Sequence, residues 1–306
     1  MNKAIRIGTR ESQLAVWQAD LVKSLLEQHG YTAELVFIKS EGDTDLKTPL
    51  YEIGVQGIFT KTLDIALLEG RIDIAVHSMK DVPTALAKGI IQAAVLPRAS
   101  YKDLFVPKND TTFLDDIHSN AIIATSSTRR KAQWLNKYSE HQIENLRGNV
   151  NTRLRKVQEN EWQGAIFAAA GLERINLRPE NAVNLDWMLP APAQGAIMVV
   201  CKEGDNNSFE ACQLFHDKDT ALCTKIERDF LRALMGGCST PISALAEREG
   251  DAIFFRGNIL SLDGKQKKEV GRKITIADAA NAGTMAAEAL LQDGGQEILN
   301  AIRNEK

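Results

Sequence analysis

Residues 77–83 read His-Ser-Met-Lys-Asp-Val-Pro and follow directly on IDIAV at 72–76, an apolar run with the pattern of a buried strand. Lys80 and Asp81 are therefore delivered side by side at a strand's carboxyl end, the end that faces the ligand crevice in open α/β sheets. A carboxylate kept ionised there by neighbouring cations can hold a transient positive charge or a donor N–H. At ~4 Å and an effective dielectric of about 20, such a pair gains about 4 kcal/mol, roughly a thousandfold in rate if it forms only in the transition state. The same residues also have a structural reading. Ser78-x-x-Asp81 has the spacing of a capping box, which contributes only about 1 kcal/mol.

The arginines share this placement. Arg10, Arg129, Arg130, Arg147, Arg153 and Arg174 follow strand-like runs or open helical ones, rather than lying along helix backs. Each alone reads as a solvated surface charge. Together, their planar forks suit carboxylates or phosphates, so the crevice is expected to take a polyanion. Cys238 follows Gly236 and Gly237 in a loop beyond a helical pattern carrying Lys225, Arg228 and Arg232, a setting that suits a reactive thiolate. Cys201, Cys212 and Cys223 lie on strand or helix patterns that packing explains.

Several chemistries lose ground. There is no G-x-x-x-x-G-K-[ST] loop, G-x-G-x-x-G turn or G-x-S-x-G elbow, and the histidines show no metal-ligand spacing, so no metal is expected. A net charge of -3 argues against a general nucleic-acid binder. The amino terminus predicts no signal peptide, and no apolar run reaches the roughly 18 residues that cross a bilayer; a cytoplasmic protein without a membrane partner is expected.

The elements that must position these residues alternate. AIRI, AELVFI, IDIAV and IIQAAVL are interleaved with helical patterns at 12–29 and 57–70, with Ser12 as the N-cap and Gly30 past the end of the first. A second series has AIIA at 121–124, QIENL at 142–146 and AIFAAA at 165–170 between helical segments near 128–139 and 149–161. Both read as parallel sheets wrapped by helices. The turn after each first strand, GTRES at 8–12 and TSSTRR at 125–130, adds hydroxyls and arginines to helix amino termini that already favour anions. The fold class is α/β, with two similar doubly wound lobes and a small α+β carboxy-terminal domain. Residues 1–97 and 196–216 form the first domain, 98–195 the second and 217–306 the third. The third is expected to hold a long helix, strands AIFFRGNIL and EVGRKITI, and an Ala-rich helix from about 277.

IRIGTRES, HSMKDVP, TSSTRR, LRGNVNTR at 146–153, PAQGA at 192–196 and GGCSTPI at 236–242 occur in one order, and by them the chain resembles the porphobilinogen deaminases, or hydroxymethylbilane synthases. The resemblance implies lobes similar to those of periplasmic binding proteins and a monomeric transferase. It implies a dipyrromethane cofactor held by a thioether to Cys238. On that cofactor four porphobilinogens condense with loss of ammonia, before hydrolysis releases hydroxymethylbilane for uroporphyrinogen-III synthase. It also implies that Asp81 is the catalytic aspartate and that Arg10, Arg129, Arg130, Arg147, Arg153 and Arg174 bind carboxylates. Ser78, Lys80, Thr125 and Ser127 fall in cofactor-contacting segments. The chain departs from the family at Glu52 and Gln56, where lysines are usual, and at Met235, where glutamate is usual; Lys47 or Lys61 could supply the missing charge. Two alternatives remain at this level: a non-catalytic two-lobed binding protein for a carboxylated small molecule, and a hydrolase pairing Cys238 with His77.

Overall fold

The computed structural model describes residues 3–39, 60–235 and 240–304. The first lobe begins with β1 (Ile5–Thr9), followed by α1 (Gln13–Gln28), β2 (Ala33–Phe37), α2 (Lys61–Leu68), β3 (Ile74–Ser78) and β4 (Ile90–Val95). Ser12 caps α1 by accepting from the Ala15 N–H at 3.4 Å, and Ala15, Gln18, Ala19, Val22 and Leu26 form its buried face at three- and four-residue spacing. Gly30 follows the helix with a φ of 82°, as the punctuation of the sequence predicts.

The second lobe contains β5 (Asp103–Pro107), β6 (Ile122–Ala124), α3 (Thr128–Lys137), β7 (Gln142–Glu144), α4 (Val150–Glu159), β8 (Gly164–Ala168), α5 (Ala169–Glu173) and β9 (Val183–Asn184). The chain then returns to the first sheet as β10 (Ile197–Lys202), followed by α6 (Asn206–Gln213). The first sheet has the order β2-β1-β3-β10-β4 and the second β7-β6-β8-β5-β9. Buried apolar clusters cover both faces of each, which is why β3 and β10 read as nearly continuous apolar runs.

The sheets are mixed rather than wholly parallel. β1 pairs parallel with β2 and β3, and β6 with β7 and β8, but β10 runs antiparallel to β3 and β4, and β5 antiparallel to β8 and β9. Each exception is the first strand after a crossover between lobes. β10 enters beside the carboxyl end of β3, with Ile197 opposite Ser78, so it must run the other way.

The third unit comprises α7 (Lys218–Ala233), the antiparallel sheet β11 (Ile242–Glu249), β12 (Ala252–Leu260) and β13 (Lys267–Thr275), and helices α8 (Ala282–Leu290) and α9 (Gln296–Asn304). β11, ISALAERE, has little β-branched or aromatic content and is not apparent in the sequence. Phe230, Phe255, Ile226 and Ala287 lie in the core of this unit.

The two crossovers run side by side. Ala99 N–H donates to Gly195 O at 3.1 Å, and a Cβ at Gly195 would sit 2.7 Å from the carbonyl oxygens of Ala99 and Ser100, so only glycine permits this approach. Glu227 of α7, fully buried, pins both. Its carboxylate accepts from Arg98 Nη1 and Nη2 (2.6 and 3.1 Å), from the Ala193 N–H (2.6 Å) and from the Ala246 N–H (2.7 Å). Four charge-assisted bonds are what make a carboxylate at that depth tolerable.

Candidate active site

β3 ends in a single 3₁₀ turn, Met79–Asp81, between the strand and Val82-Pro83. Met79 is buried and anchors the turn from below, while Lys80 and Asp81 are half-buried. The capping-box reading fails: Ser78 makes no side-chain cap. Its hydroxyl faces α1 instead, accepting from Gln18 Nε2 at 2.9 Å and donating to Gln18 Oε1 at 3.3 Å. Lys80 Nζ donates to Gln194 Oε1 at 3.2 Å. Burial, reinforced by the positive charge of Arg130, pulls the Lys80 ammonium down to about 8.

Across the crevice, β6 ends in Thr125-Ser126-Ser127. Thr125 Oγ1 accepts from the Ser127 N–H (3.2 Å), and Ser127 Oγ accepts from the Arg130 N–H (3.4 Å), which caps α3. Arg129 and Arg130, in the first turn of α3, are 5% and 6% exposed. Cations at the positive end of a helix macrodipole cost stability, so their position serves something other than the helix. Both meet Asp103, which is wholly buried at the start of β5. Arg129 Nη2 lies 2.8 Å from Oδ2, and Arg130 donates to Oδ1 from Nε (3.0 Å) and Nη2 (2.7 Å). Burial works to raise the Asp103 pKa, but Arg129, Arg130 and Lys80 outweigh it and hold the carboxyl at about 2.

Arg153, in the first turn of α4, donates from Nε to Gly148 O at 2.7 Å. Burial and the charge of Arg130 pull it down to about 10, Asp81 acts in the opposite direction, and Arg147 adds to the lowering. Arg147 is itself buried. Lys80, Asp81, Asp103, Arg129, Arg130, Arg147 and Arg153 thus share one electrostatic neighbourhood, in which five cations face two carboxylates. Buried charge needs counter-charge, so this region suits a group with carboxylate arms. Arg129 Nε is buried beside them without a hydrogen-bond partner among the described residues, a donor left over in the same region. The donor set fits a dipyrromethane bearing acetate and propionate side chains.

For three expected residues the described interactions lie outside this set. Arg10 follows β1, and its charge, after burial, helps push His77 down to about 4. A histidine so far below its ordinary range is neutral and a poor base near neutrality. Ser78 belongs with Gln18. Arg174, at the end of α5, donates from Nη2 to Gly195 O at 2.7 Å and lies 5.8 Å from the Trp17 ring centre on α1; burial pulls it down to about 10. Cys238, Glu52, Gln56 and Lys47 lie outside the described residues, while Lys61 opens α2.

Asp103 and Gln194 carry no role in the sequence reading. Gln194 is fully buried and joins the lobes, donating from Nε2 to Tyr101 O (2.7 Å) and Asp103 Oδ1 (3.0 Å) while accepting from Lys80. Its place in PAQGA was the available signal. Asp103, in an ordinary strand start, had none.

The family model described as porphobilinogen deaminase, dipyromethane cofactor binding domain, matches residues 5–210, and that of the porphobilinogen deaminase C-terminal domain matches residues 221–292. A porphobilinogen deaminase of Campylobacter hominis is 41% identical over 305 residues, covering 98% of each chain. One from Syntrophotalea carbinolica is 40% identical, covering 98% of this chain and 96% of its own. Among solved structures, an ABC-transporter periplasmic substrate-binding protein from Coxiella burnetii aligns with 71% of this chain and 94% of its own, at 14% identity and a TM-score of 0.43. The fold assignment rests on the strand orders above rather than on that likeness. On the family models and the near full-length identity, this chain belongs to the porphobilinogen deaminase family.

Proposed function

We propose that the cluster around Asp81 performs the family reaction by dividing two tasks between its charges. Lys80, Arg147, Arg153 and the Arg129–Arg130 pair grip the acid arms of the pyrroles. Asp81 faces the reacting ring, accepts its N–H and steadies the positive charge that develops as porphobilinogen loses ammonia. The dipyrromethane, when bound through Cys238, supplies the nucleophilic pyrrole carbon. Four condensations and hydrolysis then deliver linear hydroxymethylbilane to uroporphyrinogen-III synthase. The same proposal takes the chain as a cytoplasmic monomer of three domains, divided at residues 97/98, 195/196 and 216/217. Among the described residues no helix is long and apolar enough to cross a membrane.

The observation that carries the reading is that Asp81 is the half-buried carboxylate of a region otherwise dominated by cations, acting on both Lys80 and Arg153. Asp103, the other carboxylate, is committed to Arg129 and Arg130. Asp81→Asn is therefore expected to fold and bind porphobilinogen while losing roughly a thousandfold in turnover, in line with about 4 kcal/mol for a ~4 Å pair at an effective dielectric near 20. Intact-mass measurement of the denatured chain should show a dipyrromethane adduct that Cys238→Ala lacks. Normal hydroxymethylbilane output from Asp81→Asn would remove Asp81 from the chemistry. A bare mass for the wild-type chain would favour the non-catalytic binding protein.

A further inference from the structure

The turn that carries Lys80 and Asp81 is held from outside its own lobe. Arg228, on α7 of the third unit and 7% exposed, directs its fork at backbone carbonyls. Nη1 donates to Met79 O (3.3 Å) and Val82 O (2.9 Å), and Nη2 to Pro83 O (2.6 Å). One turn along, Arg232 Nη2 donates to Thr84 O at 2.5 Å. The turn supplies little of its own: no side-chain cap, three residues of 3₁₀ helix, and a Val82 N–H bond to Met79 O at 3.2 Å. Carbonyls left over at the end of such a turn need donors. A planar guanidinium can serve three of them at once, which an ammonium or an amide cannot do with the same geometry.

This arrangement is expensive for the protein. Burial, with the nearby charge of Arg232, pulls Arg228 down to about 10, and its described hydrogen bonds go to carbonyls rather than to a carboxylate. The charge of Asp229 works the other way, but a buried cation whose described hydrogen bonds all go to backbone oxygens is a poor device for stability alone.

We propose that Arg228 is a positioning residue for the condensation: it ties the backbone of the turn at residues 79–83 to α7, so that the Asp81 carboxylate stands at the reacting centre. The proposal rests on the role assigned to Asp81 above. α7 is also the helix that leads, in sequence, to Cys238.

The test uses the full-length enzyme carrying its adduct. Arg228→Gln is expected to lose about 100-fold in kcat, the scale of a carboxylate misplaced by about 1 Å, with KM changed less than about threefold. Arg228→Lys, which keeps the charge but not the fork, should fall between it and the wild type. Amide hydrogen exchange should speed up at residues 79–84 and stay unchanged at 125–130. In an Asp81→Glu background, where the carboxylate is already displaced, Arg228→Gln should cost less than about threefold more. Wild-type kcat in both Arg228 variants overturns the proposal, as does the same fold-loss in both Asp81 backgrounds. If Arg228→Gln does not fold, Arg228→Lys decides: unchanged exchange at 79–84 with unchanged kcat overturns the proposal. A wild-type chain without adduct or turnover would instead sink the assigned function, so the two failures are distinguishable.

Discussion

The turn after β3 and the turn after β6 both present site groups at strand carboxyl ends, and they are built by different means. Residues 125–130 carry an internal hydrogen-bond code, Thr125 holding Ser127 and Ser127 holding Arg130 across two and three residues, beside the bonds of Ser126 to Asn145 and Leu146. Residues 79–83 have no such internal code. Their described partners are Ala196, whose carbonyl accepts from the Met79 N–H at 3.0 Å, Gln194, 114 positions away, and Arg228, up to 149 positions away. The contrast matches the two jobs proposed. Gripping an acid arm tolerates small errors because several forks share it. Steadying charge on one ring does not, so its turn is fixed by rigid elements from elsewhere.

The comparison is sharpest where the second turn stops being local, at Asp103. Arg129 and Arg130 are buried beside it, and Asp103→Asn would leave two guanidinium groups without their counter-charge. The expected loss is about 3–5 kcal/mol, read as a lower urea midpoint at an unchanged m-value. A loss under about 0.5 kcal/mol would show that the second turn keeps its arginines in place without the carboxylate. The pH dependence has a definite sign. Because the folded pKa is depressed to about 2, the contribution is complete above the unfolded value near 3.9 and is lost as pH falls through 2.

Lys80 belongs to the first turn and tests it differently. Its folded pKa, near 8, lies below the ordinary lysine value of about 10.4, so the charged form is disfavoured in the native state. In the role proposed for Lys80, a substrate carboxylate needs that charge. As pH rises through 8, kcat/KM should fall about tenfold per unit, and Lys80→Arg should flatten the profile up to about pH 10. Over the same window the native state sheds the Lys80 proton before the unfolded chain does, so this residue's contribution to stability rises. Activity and stability moving in opposite directions would mark Lys80 as the titrating group. Movement in the same direction would assign the alkaline limb elsewhere.

How far the site was legible follows the same divide. Ser12 as an N-cap, Gly30 as a stop and the apolar runs of β1, β3 and β10 are local signals, and the structure follows them. Arginines at helix starts stood out because a helix alone does not favour them there. What the sequence could not show was pairing at long range. Asp103 looks like any strand-opening residue until Arg129 and Arg130 arrive 26 and 27 positions later. Arg228 looks like one more charge on a helix until its fork is seen against the carbonyls of residues 79–83. Ser78 shows the opposite error: its spacing satisfied a local rule, but Gln18 claimed the hydroxyl. The direction of β10 was hidden too, because hydrophobic pattern carries no information about which way a strand runs.

Ser127 provides the smallest test and separates the two meanings of the second turn. Its hydroxyl is accounted for as the cap of α3, accepting from the Arg130 N–H at 3.4 Å, a long bond that belongs at the weak end of capping. Ser127→Ala should therefore cost about 0.5–1 kcal/mol in thermal or urea stability, and Ser127→Asp, an equally good cap, should restore it. If capping is all the hydroxyl does, KM for porphobilinogen stays at the wild-type value in Ser127→Ala. In Ser127→Asp it rises, because a carboxylate has been added to a crevice that must receive acids. A raised KM in Ser127→Ala with unchanged stability would reverse the assignment, making the hydroxyl a ligand contact and leaving α3 to be held by Asp103 through its arginines. The second turn would then depend on distant partners as the first one does, and the contrast between them would disappear.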